Sequence, residues 1–176
     1  MKVLIIEDEE LIRETVAYQF KANSAEVSEA RNGIEGLALL KQKTFDLVVS
    51  DYQMPKMSGL DLLQVCRGEN IRVPIIWLSG RDNPELRAYA WQFGLFDYIE
   101  KPFEPEEFKK CVSQVESMSD EVKKEFFTDY SSGLFNIPYS VISEKISKPT
   151  IRSFLEWCET QNASPTEMIA KILAEA

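Results

Sequence analysis

Three apolar runs, far apart in the chain, each end on polar residues able to do chemistry. VLIIED closes on Glu7 and Asp8, LVVSD on Asp51, and PIIWLS on Ser79. If the runs are neighbouring strands of one parallel sheet, their ends meet at the rim where open α/β sheets place ligands. Three carboxylates and a hydroxyl gathered there suit a cation and a phosphoryl group.

The elements that must position them follow from the hydrophobic pattern. From Lys2 to about Ser117, short apolar runs alternate with amphipathic stretches, as in repeated βα units. Strands are predicted at Val3–Ile6, Ala25–Ala30, Phe45–Ser50, Ile75–Ser79 and Phe96–Ile99. The first, third and fourth are continuously apolar, as strands covered on both faces should be. AEVSEA and FDYIE carry alternating charges, which places the second and fifth at the edges. The pattern thus predicts an α/β protein with the second and fifth strands at the sheet edges, which is similar to the known order 2-1-3-4-5 of flavodoxin-like, doubly wound five-stranded parallel sheets, with a small, mainly helical C-terminal appendage.

Helices are predicted between the strands. Glu10–Phe20 sets Leu11, Thr15 and Tyr18 at helical spacing, Asn32 can cap a helix to about Gln42, and Gly59–Arg67 carries Leu60, Leu62, Leu63 and Cys66. Pro84 suits the first turn of a fourth helix ending near Gly94, and Pro105 that of a fifth.

The length of 176 residues suits one domain, 1–118, plus a C-terminal region, 119–176. No apolar run approaches the roughly 18 residues that cross a bilayer. Only four apolar residues separate Lys2 from the acidic Glu7–Glu10 run, too few for a signal peptide, so a cytoplasmic protein without a membrane partner is expected. Cys66, Cys111 and Cys158 are odd in number and widely separated, fitting buried thiols rather than a disulfide framework or a zinc site. A net charge of −9 argues against a surface that coats nucleic acid. With no histidine, the chain cannot run Ser-His-Asp or Cys-His catalysis or donate a phosphoryl group from histidine.

The motifs IIEDE, VVSDYQMPKMSGLDLL, IIWLSG and GLFDYIEKPF, in this order and spacing, resemble the receiver domain of two-component response regulators over the first 118 or so residues. The resemblance implies a signalling module rather than an enzyme, in which Asp51 accepts a phosphoryl group from a phosphohistidine or an acyl phosphate. It implies Mg2+ held by Asp8, Asp51 and the Gln53 backbone carbonyl, with Glu7 acting directly or through water. Such transfer has a loose transition state, so position and positive charge matter more than acid or base. Mg2+ and Lys101 would supply the charge. Without a cation, carboxylates about 4 Å apart repel by roughly 4 kcal/mol at a dielectric of 20, which should raise at least one pKa.

The resemblance further implies a cis Lys101–Pro102 bond and a switch pair, Ser79 and Tyr98. The Ser79 hydroxyl would donate to a phosphoryl oxygen while the Tyr98 ring settles toward the core. The face of the fourth helix, fifth strand and fifth helix would then change its affinity for a partner, with Trp91 and Phe93 as anchors. Implied partners are a sensor histidine kinase or phosphotransfer protein upstream, and a downstream protein or a second copy of the chain. Glu7 stands where aspartate is commoner, Ser79 where threonine is commoner, and Gln53 and Arg81 would flank the path of the hydrolytic water.

The composition changes at Ser119, which can cap a short helix through Phe127 before TDYSSG breaks the chain. VISEKISKPTIRSFLEWCETQNASPTEMIAKIL resembles a ribbon-helix-helix module. Ile151, Phe154, Leu155 and Cys158 form one apolar face, Asn162 turns the chain, and Ser164 caps a helix bearing Met168, Ile169, Ile172 and Leu173. A short strand before Ser147 would complete the pattern, and an intertwined dimer would meet DNA through Ser143 and Lys145. Against this, the region from Ser119 holds six basic and nine acidic residues, and Glu144 would point inward from such a strand. The rival is an appendage that packs on the receiver, dimerises it or docks a protein. Three functions are thus in play: a regulator working through protein contacts, a small DNA-binding transcriptional regulator, and an unphosphorylated pseudo-receiver. The intact set Asp8, Asp51, Ser79 and Lys101 disfavours the third, and the lack of a phosphate-binding loop after the first strand disfavours a flavin.

Overall fold

The structure is a computed structural model, described over residues 1–80, 84–118 and 137–175. The strands β1 (Lys2–Ile6), β2 (Glu26–Ala30), β3 (Leu47–Asp51), β4 (Ile75–Ser79) and β5 (Asp97–Glu100) form one parallel sheet in the order β2-β1-β3-β4-β5. Every residue of β3 and β4 is buried, because helices cover both faces. Those helices are α1 (Glu10–Ala22), α2 (Gly33–Gln42), α3 (Gly59–Gly68), α4 (Pro84–Gln92) and α5 (Pro105–Ser117). Register aligns the strand ends: Ile6 lies opposite Ser50, and Asp51 opposite Leu78. Glu7, Asp51 and Ser79 therefore arrive at one rim.

Local sequence explains the helix starts near that rim. The Asn32 side chain accepts from the Glu35 N–H at 3.1 Å, and Ser58 and Asp61 cap α3 reciprocally. Gly59 is required by contact: a Cβ there would lie 2.6 Å from the Asp51 carbonyl oxygen. Trp77 Nε1 donates to the Gly59 carbonyl at 3.2 Å and the Gly59 N–H donates to the Tyr52 carbonyl at 3.0 Å, so the start of α3 is pinned to β4 and to the residue that follows β3.

Helix α1 turns differently from the expected face. Leu11 and Tyr18 are 79% and 70% exposed, while Arg13, Val16, Ala17 and Phe20 face the sheet. The i, i+4 pair Val16 and Phe20 buries more apolar area than the stripe named from Leu11. Helix α4 ends at Gln92, so Phe93 lies just beyond it. All three cysteines are free and buried, and burial pushes the Cys66 and Cys158 thiols up to about 11.

The C-terminal region forms α6 (Tyr139–Ser143), α7 (Ile151–Thr160) and α8 (Pro165–Glu175). Asn162 makes the turn with φ 51°, and Ser164 and Glu167 bond reciprocally at the start of α8. Where a strand was expected before Ser147, the chain forms the short helix Tyr139–Ser143 followed by a turn. Ile142 and Ile146, four residues apart, both bury against the same core, which selects helical spacing over alternation, and Glu144 is exposed. That core is shared: one apolar cluster runs from Val49 and Ile76 through Trp91 and Cys111 to Phe154, Cys158 and Ile172. Leu173 is half-exposed. The Ser119 cap, the helix to Phe127, the TDYSSG break and Arg81 lie outside the described residues. Among the described residues, no helix is long and apolar enough to cross a membrane.

Candidate functional site

Glu7 and Asp8 follow β1 and Asp51 ends β3, and their carboxylate oxygens lie within 4.8 Å of one another. Glu7 is fully buried, Asp51 nearly so, and Asp8 is exposed. From the loop after β5, Lys101 Nζ sits 2.9 Å from Glu7 Oε2 and 2.9 Å from Asp51 Oδ1. The Lys101 N–H donates to the Ser79 carbonyl at 2.8 Å and fixes that loop to the end of β4, and the Lys101–Pro102 bond is cis. Lys101 thus reaches Asp51 as expected and also bonds Glu7, which the sequence had not suggested.

The electrostatics follow from burial. Desolvation raises the Glu7 and Asp51 carboxyls above their ordinary values; Lys101 opposes this in both, while Asp51 adds to the rise in Glu7 and Asp8 to that in Asp51. Burial works against the Lys101 charge, yet the two carboxylates outweigh it and its pKa is raised. The Gln53 backbone N–H also bonds the Asp51 carboxylate. With all groups ionised, three carboxylates face one ammonium, leaving an excess of negative charge. Hard oxygen donors, that excess and the exposed Asp8 fit a hydrated Mg2+.

Ser79 is buried at the end of β4, and Tyr98 is fully buried in the cluster that holds Trp77, Leu86 and Leu95. The Tyr98 ring is thus already in the core. Trp91 is buried under the C-terminal region, donating from Nε1 to the Ile137 carbonyl at 3.0 Å and meeting Phe154 edge-to-face at 6.0 Å. Phe93 stacks on Tyr89. Ser143 and Lys145 stand apart from the rim: Ser143 Oγ donates to the Ser140 carbonyl, and Lys145 pairs with Glu175 at 3.4 Å.

Several contributors escaped the sequence reading. Arg13, buried, donates from Nη1 to the Glu7 carbonyl at 2.9 Å and pairs with Glu29 at 3.6 Å, steadying the turn after β1. Asp97, read as an edge-strand charge, is 2% exposed: Arg152 Nε lies 2.6 Å from Oδ2 and Lys148 Nζ 3.5 Å from Oδ1. Lys148 also lies 4.0 Å from the Tyr98 ring centroid. The signal available was an acid in β5 and two bases in a distant segment, which no local pattern pairs.

Comparison with known proteins agrees with this geometry. The response regulator receiver domain family model matches residues 3–113. The chain is 35% identical over 107 residues to the cell cycle response regulator CtrA of Brucella ovis, covering 61% of this chain and 46% of that protein. It is 34% identical over 100 residues to the uncharacterized transcriptional regulatory protein YcbL of Bacillus subtilis, covering 57% and 44%. The matches thus span less than half of either relative. Among solved structures, the receiver domain of Francisella response regulator 1452 aligns with a TM-score of 0.62 at 32% identity, covering 65% of this chain and 94% of that one. The chemotaxis protein CheY4 of Vibrio cholerae aligns at 0.61 and 31%, covering 65% and 97%. A sheet in the order 2-1-3-4-5, an acidic rim crossed by a lysine, and a family match over most of the sheet lead to one statement: the chain belongs to the response regulator receiver domain family.

Proposed function

We propose that the protein is a two-component response regulator that accepts a phosphoryl group on Asp51 and passes the signal through contacts of its α4–β5–α5 face. The observation that carries this reading is the Lys101 ammonium held between Asp51 and Glu7 beside Asp8. An Asp51 oxygen attacks phosphorus, the P–N bond of an incoming phosphohistidine breaks, and its electron pair leaves on the imidazole nitrogen. Lys101 opposes the rise that burial imposes on the Asp51 carboxyl and meets the charge on the transferred oxygens. Asp8, Asp51 and the Gln53 carbonyl would hold Mg2+, with Glu7 direct or through water; when bound, the ion neutralises phosphoryl charge. Ser79, at the neighbouring strand end, donates its hydroxyl to a phosphoryl oxygen.

In this reading the receiver is residues 1–118 and the remainder serves output. The phosphoryl donor is a kinase or phosphotransfer protein in the cytoplasm. The Lys145–Glu175 pair and the helical Tyr139–Ser143 favour protein contact over DNA contact. Purified protein with Mg2+ and acetyl phosphate should gain one phosphoryl group that alkali or hydroxylamine removes, as from an acyl phosphate, and Asp51→Asn should gain none. Unmodified parent protein with its fold intact would refute the assignment.

A further inference from the structure

β5 is the edge strand of the sheet, yet its free side is covered by the chain itself. The first-turn N–H groups of α7, from Ile151 and Arg152, donate to the Leu95 and Phe96 carbonyls at 3.2 and 3.0 Å. Lys148 Nζ donates to the Tyr98 carbonyl, and Arg152 and Lys148 close on Asp97. Beside this grip, Phe154 packs on Trp91. β5 is only four residues long, and Lys101 follows it directly. One short strand, about 13 Å from Asp97 to Lys101, therefore carries the anchor of the C-terminal helices at its start and delivers the site's cation at its end.

We propose that the C-terminal helices are the resident ligand of the β5 edge, and that their docking and phosphorylation of Asp51 strengthen each other through β5. The coupling rests on the phosphoacceptor reading of Asp51. Its sign comes from what the two events share. An edge strand bonded to one neighbour opens more readily than the rest of a sheet, and both the docked helices and an Asp51–Lys101 contact require β5 in place. Whichever binds first bears the cost of ordering the strand, so the second binds more tightly, and the effect is reciprocal. Lys148 and Arg152 are then positioning residues for Lys101, acting through the backbone of β5.

The test uses the full chain with Mg2+ and beryllofluoride, the adduct on Asp51 being followed by fluorine NMR. Amide hydrogen exchange in α6 and α7 should slow at least fivefold when the adduct forms. Reciprocally, the double variant Lys148→Ala/Arg152→Ala should bind beryllofluoride at least fivefold more weakly while still reaching full occupancy. Lys148→Met, which keeps the aliphatic stem over Tyr98 and removes the ammonium, should weaken binding in the same direction. An adduct that leaves exchange in α6 and α7 unchanged or faster overturns the coupling, as does parent-like affinity in the double variant, and both outcomes leave Asp51 as phosphoacceptor. No adduct at saturating reagent, with the fold intact, overturns the phosphoacceptor reading and the coupling with it. The exchange arm needs no variant, so it decides the matter even where substitution loosens the fold.

Discussion

Lys101 is held by the two carboxylates that burial disfavours most, so the three side chains depend on one another. Removing the ammonium leaves Glu7, fully buried, without its counter-charge. Lys101→Ala should cost about 2–3 kcal/mol in urea unfolding, and adding Glu7→Gln should recover most of it. The pH dependence has an unusual sign. Glu7 and Asp51 have raised pKa values, so the folded state binds their protons more tightly than the unfolded chain does. Their ionisation weakens the fold at neutral pH, and that loss is regained as pH falls toward the ordinary values of 4.5 and 3.8. In Mg2+-free buffer, the stability of Glu7→Gln relative to the parent should therefore be greatest at neutral pH and shrink toward pH 5. Lys101, with a raised value, contributes stability below its ordinary pKa that is lost only as pH rises through the higher folded one.

At the scale of elements, the contact between α4 and the segment entering α6 rests on Trp91. Trp91→Phe keeps most of the ring but strands the Ile137 carbonyl, and should cost about 1–2 kcal/mol. Trp91→Ala should cost about 3–5 kcal/mol. Both are read by thermal or urea unfolding. The strands were legible as short apolar runs and the two edges from the charges in AEVSEA and FDYIE, whereas the order of the sheet came from its likeness to a known doubly wound fold. Helix α1 was legible in extent but not in face, since Leu11 and Tyr18 share its periodicity with Val16 and Phe20. The rim was legible because each residue closes a strand, whereas Arg13 and Lys148 act on backbone carbonyls, and no residue type encodes those. The helix before Ser147 was misread because Ile142 and Ile146 meet a partner surface more than forty residues away in sequence.

For the whole molecule, the receiver and the C-terminal helices share one core, so the family boundary is not a structural one. Cutting the chain after residue 118 would uncover Trp91, Cys111 and Val115, all nearly fully buried in the intact protein. Such a fragment should unfold at lower urea than the full chain and self-associate, as light scattering would reveal. The shared core also explains why α7 and α8, with apolar faces suited to a dimer, find their burial within a single chain.

The three thiols are distributed so that they can act as a stopwatch. Cys111 and Cys158 lie in the cluster that the C-terminal helices complete, whereas Cys66 lies in the separate cluster beneath α3. An alkylating reagent would therefore mark Cys158 and Cys111 at the pace at which those helices lift away, while Cys66 keeps time for opening of the sheet itself. The ratio of the two labelling rates turns an invisible excursion of the native protein into a mass difference.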